Sequence, residues 1–253
     1  MSIIKTNGVI TRYTNYRDYD RIVTIFSREY GKLSATIKGC RRPKSRLLSA
    51  SQLFCYGEYI LYEKNGNYMV SQCTVQDTFY GLPAKLDGFA YGTYLLNLCD
   101  ETVYQAHEYH KLFYLLLNSL TFLTYSEMNP ADVLLFFLIQ MFDILGFKPE
   151  LNNCINCGST PSLRYKFSSL GGILCEACYP LDTKAKTIHK GTIETCRYIL
   201  KMDASKMNTL TLHDEIRVEL NNIMNSYLSQ RVEKYFKSRI FIDKLNKYKI
   251  EEG

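Results

Sequence analysis

The sequence predicts an α+β chain of several domains: a small barrel of antiparallel strands at the amino end, then an all-α region, with a cysteine-bearing module inserted in it. Three observations predict this. Residues 1–80 break into five short runs of alternating or β-branched character, separated by turn residues, which suits a small closed barrel. From Leu82-Pro83 onward the apolar spacing becomes helical. Residues 150–180 are loop-rich and hold four of the nine cysteines. These changes of texture divide the 253 residues into 1–80, 81–149, 150–180 and 181–253, and a chain this long allows two or three compact units.

The strands come first. Gly8–Thr14 is followed by the turn-rich stretch Asn15–Asp20 and then by Arg21–Arg28, which is β-branched and apolar. After Glu29-Tyr30-Gly31, the run Lys32–Lys38 alternates: Leu33, Ala35 and Ile37 on one side, Lys32, Ser34, Thr36 and Lys38 on the other. That is a half-buried strand with a polar, basic outer face. Leu53–Glu63 and Tyr68–Thr74 flank a hairpin signal, Lys64-Asn65-Gly66-Asn67. Among small barrels that bind nucleic acid, the OB-fold is the commonest.

The helices follow. Leu86, Phe89, Ala90, Thr93 and Leu96 fall on one stripe. Leu112–Leu123 continues the pattern, and Asn129-Pro130-Ala131-Asp132 is a helix start with Pro in the first turn. Val133–Leu145 is apolar almost all round, as a central helix would be, and Gly146 ends it. Beyond the cysteines, Ile193, Cys196 and Leu200 form one stripe and Ile216, Leu220, Ile223 and Tyr227 another.

Composition excludes several classes. With 46% hydrophobic and 22% charged residues the chain is not disordered, and 14 Gly with 6 Pro exclude collagen. The start MSIIKTNG has no secretory pattern. The most apolar run, Val133–Phe147, is shorter than the roughly 18–20 residues of a bilayer span. The expectation is a soluble protein with no membrane partner, in the reducing cytoplasm, where cysteines ligate metal or stay buried rather than pair. The net charge of +6 is unevenly placed: residues 1–80 hold 12 Lys and Arg against 6 Asp and Glu, and residues 81–253 hold 19 of each. This predicts a polyanion-facing module followed by a neutral one.

Cys154-Ile-Asn-Cys157 and Cys175-Glu-Ala-Cys178 are separated by seventeen residues. Each pair sets two thiolates on one tight turn, and two such turns close a tetrahedron around Zn²⁺ at about 2.3 Å per bond. Four thiolates leave no open position, so the one zinc expected from Cys154, Cys157, Cys175 and Cys178 is structural. The single cysteines Cys40, Cys55, Cys73, Cys99 and Cys196 are expected to be buried, inert thiols.

The second signal is Lys38-Gly39-Cys40-Arg41-Arg42-Pro43-Lys44-Ser45-Arg46. Gly39 and Pro43 forbid a regular helix, so the segment is expected to be a flexible loop at the barrel rim, able to follow a phosphate backbone. Tyr13 and Tyr16, in the nearby turn-like stretch, are candidates for base stacking. No enzyme motif stands: there is no phosphate loop, the histidines of His107-Glu108-Tyr109-His110 are three apart rather than four, and His213-Asp214-Glu215 follows both cysteine pairs instead of preceding them. No catalytic residue is nominated and no enzyme is expected. A zinc-containing nucleic-acid module of transcription or RNA metabolism is the rival reading.

Taken together, IIKTNGVITRY, DYDRIVTIFSREYGKLSATIKGCRRPKSRL, QLFCYGEYILYE, LDGFAYGTYLLNLCDE and CINCG…GGILCEAC resemble the RecO family of bacterial DNA repair and recombination mediators over nearly the whole chain. The resemblance implies an N-terminal OB-fold, a helical domain and a zinc module inserted in it. It implies binding of single- and double-stranded DNA and ATP-independent annealing of complementary strands. It implies partnership with RecR, and through it help in loading RecA onto gaps coated by single-strand-binding protein (SSB), which places the protein at the nucleoid. The family's zinc ligands carry over to Cys154, Cys157, Cys175 and Cys178. Its DNA surface carries over to Lys32, Lys38, Arg41, Arg42, Lys44 and Arg46.

Overall fold

The computed structural model describes residues 3–64, 66–105, 107–160, 165–232 and 237–251, except the side chains of Lys64 and of residues 246–251. The chain divides into two compact units, residues 1–125 with 236–253 and residues 126–235. The first two long helices are thus grouped with the barrel, and the last helix returns to it. The composition shifts alone draw the lines elsewhere.

In the first unit, strands β1 (Ile3–Tyr16), β2 (Asp20–Ser27), β3 (Gly31–Ile37), β4 (Tyr56–Lys64) and β5 (Asn67–Asp77) close a barrel in the order β1-β2-β3-β5-β4. Four pairings are antiparallel and β3–β5 is parallel, the OB-type arrangement. β1 is longer than the sequence predicts because it serves two partners: Ile3–Val9 pairs with β4 and Gly8–Tyr16 with β2. An irregularity between Ile10 and Arg12 bends it from one to the other. β3 alternates as expected, with Leu33, Ala35 and Ile37 buried and Ser34 exposed. These side chains join Ile10, Val23, Ile25, Tyr59, Leu61 and Val70 in the barrel core. Lys64 pairs with Asn67 across the β4–β5 hairpin, and Gly66 takes φ +74°; Asn65 of that signal lies outside the described residues.

Helices α1 (Leu86–Thr102) and α2 (His110–Tyr125) complete this unit together with α6 (Lys237–Glu251). α2 seals the outer barrel wall, with the Phe113 ring edge-on to Phe26 at 5.5 Å. α1 follows the predicted stripe only in part: Ala90 and Leu96 are buried, but Leu86 is 59% and Phe89 39% exposed. The packed face contains Gly88, Tyr91, Gly92, Leu95 and Cys99. A Cβ at Gly92 would come within 3.1 Å of the Phe54 ring, so close approach by small residues, which a hydrophobicity count overlooks, sets this face.

The second unit holds α3 (Pro130–Ile144), α4 (Lys190–Lys201), α5 (Asp214–Ser229) and a three-stranded sheet in the order β7 (Gly172–Leu174), β6 (Tyr165–Ser168), β8 (Lys186–Ile188). Asn129 caps α3, its side chain accepting from the Ala131 N–H at 2.9 Å. Gly146, at φ +80°, follows its C-terminal end. Gln140 of α3 donates to the carbonyls of Ile199 and Met202 at 2.5 and 2.9 Å, fixing the end of α4. Arg217 of α5 grips Asp132 of α3 through two bonds of 2.5 and 3.1 Å. Among the described residues, no helix is long and apolar enough to cross a membrane.

Candidate nucleic-acid interface and metal centre

The basic segment after β3 is irregular, as Gly39 and Pro43 require, but it is tied down. Asp20 accepts from the Gly39 N–H at 2.8 Å, and the Tyr19 carbonyl accepts from the Arg41 N–H at 3.0 Å. Successive turns follow, from Arg42 N–H to the Gly39 carbonyl at 3.2 Å and from Ser45 N–H to the Arg42 carbonyl at 2.9 Å. Cys40 is fully buried beneath it, and the other four single cysteines are buried or half-buried. The staples join the basic segment to the β1–β2 turn, Arg17–Tyr19. One rim therefore carries Arg17, Arg41, Arg42, Lys44 and Arg46, all exposed, with Lys38 at the end of β3. Among the described residues none of these cations forms an ion pair with a carboxylate. Lys32 does not belong to this group: at the other end of β3, its ammonium is bonded to the Asp100 carbonyl and lies 3.8 Å from the Asp100 carboxylate.

The tyrosines divide by face. Tyr16 is 42% exposed, with the Arg17 guanidinium 5.2 Å from its ring centre, and Tyr19 is 48% exposed, with Arg42 at 5.5 Å. Tyr13 points to the other side of β1, where Arg21 covers its ring at 4.1 Å. Arg21 itself is buried and donates to the Ser51 carbonyl and hydroxyl at 2.9 and 3.0 Å. It staples the barrel end, and Tyr13 has one ring face occupied. Register places Arg12, Thr14 and Tyr16 of β1 beside Thr24, Ile22 and Asp20 of β2, and Thr24 and Ile22 beside Ser34 and Thr36 of β3. This outer face is polar except for Ile22, 38% exposed, and it runs into the basic rim. Sequence reasoning missed Arg12 and Arg17. Their signal was present: the alternation of Arg12, Thr14 and Tyr16, and an arginine at the apex of a tight turn.

The four cysteines of the second unit converge. The ligand atoms of Cys154, Cys157, Cys175 and Cys178 all lie within 4.8 Å of one another, three buried and Cys157 exposed. The first knuckle closes with the Gly158 N–H on the Cys154 carbonyl at 2.9 Å, Gly158 having φ +74°. The second follows β7, with the Cys178 N–H on the Cys175 carbonyl at 3.0 Å. A bond of 2.9 Å from the Ile155 N–H to the Ile173 carbonyl joins the knuckles. Cys157 and Cys175 have their sulfurs 3.6 Å apart, near the ~3.8 Å edge of a tetrahedron with Zn–S bonds of about 2.3 Å. Four soft donors so placed fit a metal ion. Burial pushes the Cys154 thiol up, but backbone N–H groups of Cys157, Cys175 and Asn156 outweigh it and bring it to about 6. The Ser159 hydroxyl and N–H lower Cys157 as well. Outer partners are in place: Ser159 Oγ at 3.0 Å from Cys157 Sγ, and the Asn156 amide at 3.3 Å from Cys178 Sγ.

Comparison with known proteins agrees with this organisation. Residues 1–79 match the family model of the Recombination protein O N terminal and residues 83–240 that of the Recombination protein O C terminal. The DNA repair protein RecO of Acetivibrio thermocellus is 32% identical over 250 residues, covering 98% of this chain and all of the relative. That of Alkaliphilus metalliredigens is 30% identical over 227 residues, covering 89% of this chain and 92% of its own. That of Bacillus subtilis is 28% identical over 248 residues, covering 98% and 96%. A barrel with a basic rim, a helical remainder and a four-cysteine cluster thus stand where both halves of one family stand, and the chain belongs to the RecO family of DNA repair and recombination proteins.

Proposed function

We propose that this chain is a DNA repair and recombination mediator that grips single- and double-stranded DNA with the basic rim and the β1–β2–β3 face of its barrel. One observation carries the reading: backbone staples gather Arg17, Arg41 and Arg42 beside Tyr16 and Tyr19, within the stretch 1–80 that holds 12 Lys and Arg against 6 Asp and Glu. Phosphates meet guanidinium groups there, counterions leave, and the exposed ring faces take bases. Neutralising two strands at once lowers their repulsion and lets complementary strands pair without ATP. As a RecO member the chain would act with RecR to help load RecA onto SSB-coated gaps, at the nucleoid. Cys154, Cys157, Cys175 and Cys178 would hold one structural Zn²⁺, which fixes the fold of its own segment. The role requires no bond chemistry of the chain itself.

The test is a variant with Arg41, Arg42 and Lys44 all replaced by Ala. The slope of log affinity against log salt should flatten by about two to three units, at roughly 0.7–0.9 per phosphate contact, and annealing of complementary oligonucleotides, with or without SSB, should slow in parallel. An unchanged slope moves the DNA surface away from this rim.

A further inference from the structure

The second unit carries a cleft that the barrel interface does not use. It holds about 260 Å³ between the segment following α3 and the last turn of α4. Lys148, Arg197 and Lys201 line it over a floor of Pro149, Leu151 and Leu200. In a stretch of chain whose acids and bases balance, three cations on one small cleft are a local concentration. The carboxylate in the lining, Glu150, is already engaged: it accepts from the Asn152 and Asn153 N–H groups at 2.6 and 3.1 Å. Those two bonds, with Arg197 nearby, hold its carboxyl below the usual range.

The cleft is pre-formed. Arg197 donates to the Leu151 carbonyl and to Glu194, and its buried Nε has no partner among the described residues. Glu150 is bonded through its N–H to the Gly171 carbonyl at 2.8 Å and through its carbonyl to the Ile173 N–H at 2.9 Å. Gly172 makes this approach available, since a Cβ there would lie 2.0 Å from the Glu150 oxygen. The negative end of α4 is muted, its Ile199 and Met202 carbonyls being taken by the Gln140 amide. Lys201 is exposed and without an ion pair among the described residues, and Lys148 has only Asp143, at 3.4 Å.

We infer that this cleft seats a phosphodiester and its adjoining nucleotide, the phosphate on Lys148 and Lys201 and the sugar or base on the apolar floor. It is a second backbone contact, outside the barrel, that adds to the hold of the rim on a strand. The inference rests on the nucleic-acid reading above.

The experiment compares the full chain, the rim variant and Lys148→Gln/Lys201→Gln, which removes two solvent-facing charges and leaves Arg197 in place; thermal unfolding checks that it folds. In the cleft variant the salt slope for a long oligonucleotide should fall by about one to two units and annealing should slow several-fold. If the rim variant loses affinity while the cleft variant keeps both slope and annealing rate, the cleft inference is overturned and the barrel reading stands. If neither variant changes DNA binding, the DNA surface lies away from both rim and cleft, and the cleft inference is overturned together with the rim assignment. Binding of an acidic peptide with a free carboxyl end by the full chain but not by the cleft variant, with DNA behaviour unchanged, also overturns it and makes the cleft a peptide site.

Discussion

Arg17 sits at φ +51° in the β1–β2 turn, a region that costs an L side chain about 1–2 kcal/mol. Replacing it by Gly relieves that strain, against roughly 0.5–1 kcal/mol of added unfolded-state freedom. Arg17→Gly should therefore unfold at an equal or higher temperature while its DNA salt slope falls by about 0.7–0.9, one contact. A loss of both stability and affinity would mean that turn geometry, not charge, is what Arg17 supplies. Glu29 argues a pH effect on the same scale. Burial raises its carboxyl, but the bond from the Thr6 hydroxyl, together with the Arg28 guanidinium whose nitrogens lie 2.5 and 2.7 Å away, overcomes this and holds it below its ordinary value. A depressed carboxyl contributes stability that is present above the ordinary carboxylate range and lost as pH falls through the lowered value. Glu29→Gln should cost about 1 kcal/mol at neutral pH and nothing in strong acid, as urea unfolding at the two pH values would report.

At the scale of elements, the sequence was legible where one local rule decides. The alternation of Leu33, Ala35 and Ile37 gave β3, Asn129-Pro130 gave the start of α3, and the cysteine spacing gave the cluster, because each is settled within a few residues. It was opaque where packing decides. The β6–β7–β8 sheet has strands of only three or four residues, too short for periodicity. The rim's staples run from Asp20 to Gly39 and from Tyr19 to Arg41, so composition announced the charges but not their neighbours. The four-cysteine module shows what such short elements depend on. Its own core is Cys154, Leu174, Cys175 and Cys178 with Tyr179 and Ala185 against them, too little to order some thirty residues. A structural zinc adds on the order of 10–16 kcal/mol. A strong chelator should accordingly open residues 150–180 to protease before any barrel peptide appears, as mass spectrometry of limited digests would show. Unchanged resistance of that segment would end the structural role of the metal.

At the scale of the whole molecule, the chain leaves the first unit after α2, builds the second, and returns as α6. No local pattern announces the return: the Asn97 amide reaches the Ser238 hydroxyl at 2.8 Å across 141 positions. Ile242 is 1% exposed, and Arg239 stands 5.9 Å from the Tyr94 ring of α1. Ile242→Ala should cost about 2–5 kcal/mol, and the loss should appear in the first unit. Two buried thiols report the units separately. Cys99 lies on α1 and Cys196 on α4, both 1% exposed or less, and burial pushes both thiols up, Cys196 to about 12. Neither reacts with an alkylating reagent until its helix opens. In Ile242→Ala, Cys99 should alkylate faster by the factor that the lost stability sets, about tenfold for each 1.4 kcal/mol, and Cys196 should keep its native rate. Equal acceleration at both thiols would instead mean that the two units open as one, and that α6 secures the entire chain rather than the barrel side alone.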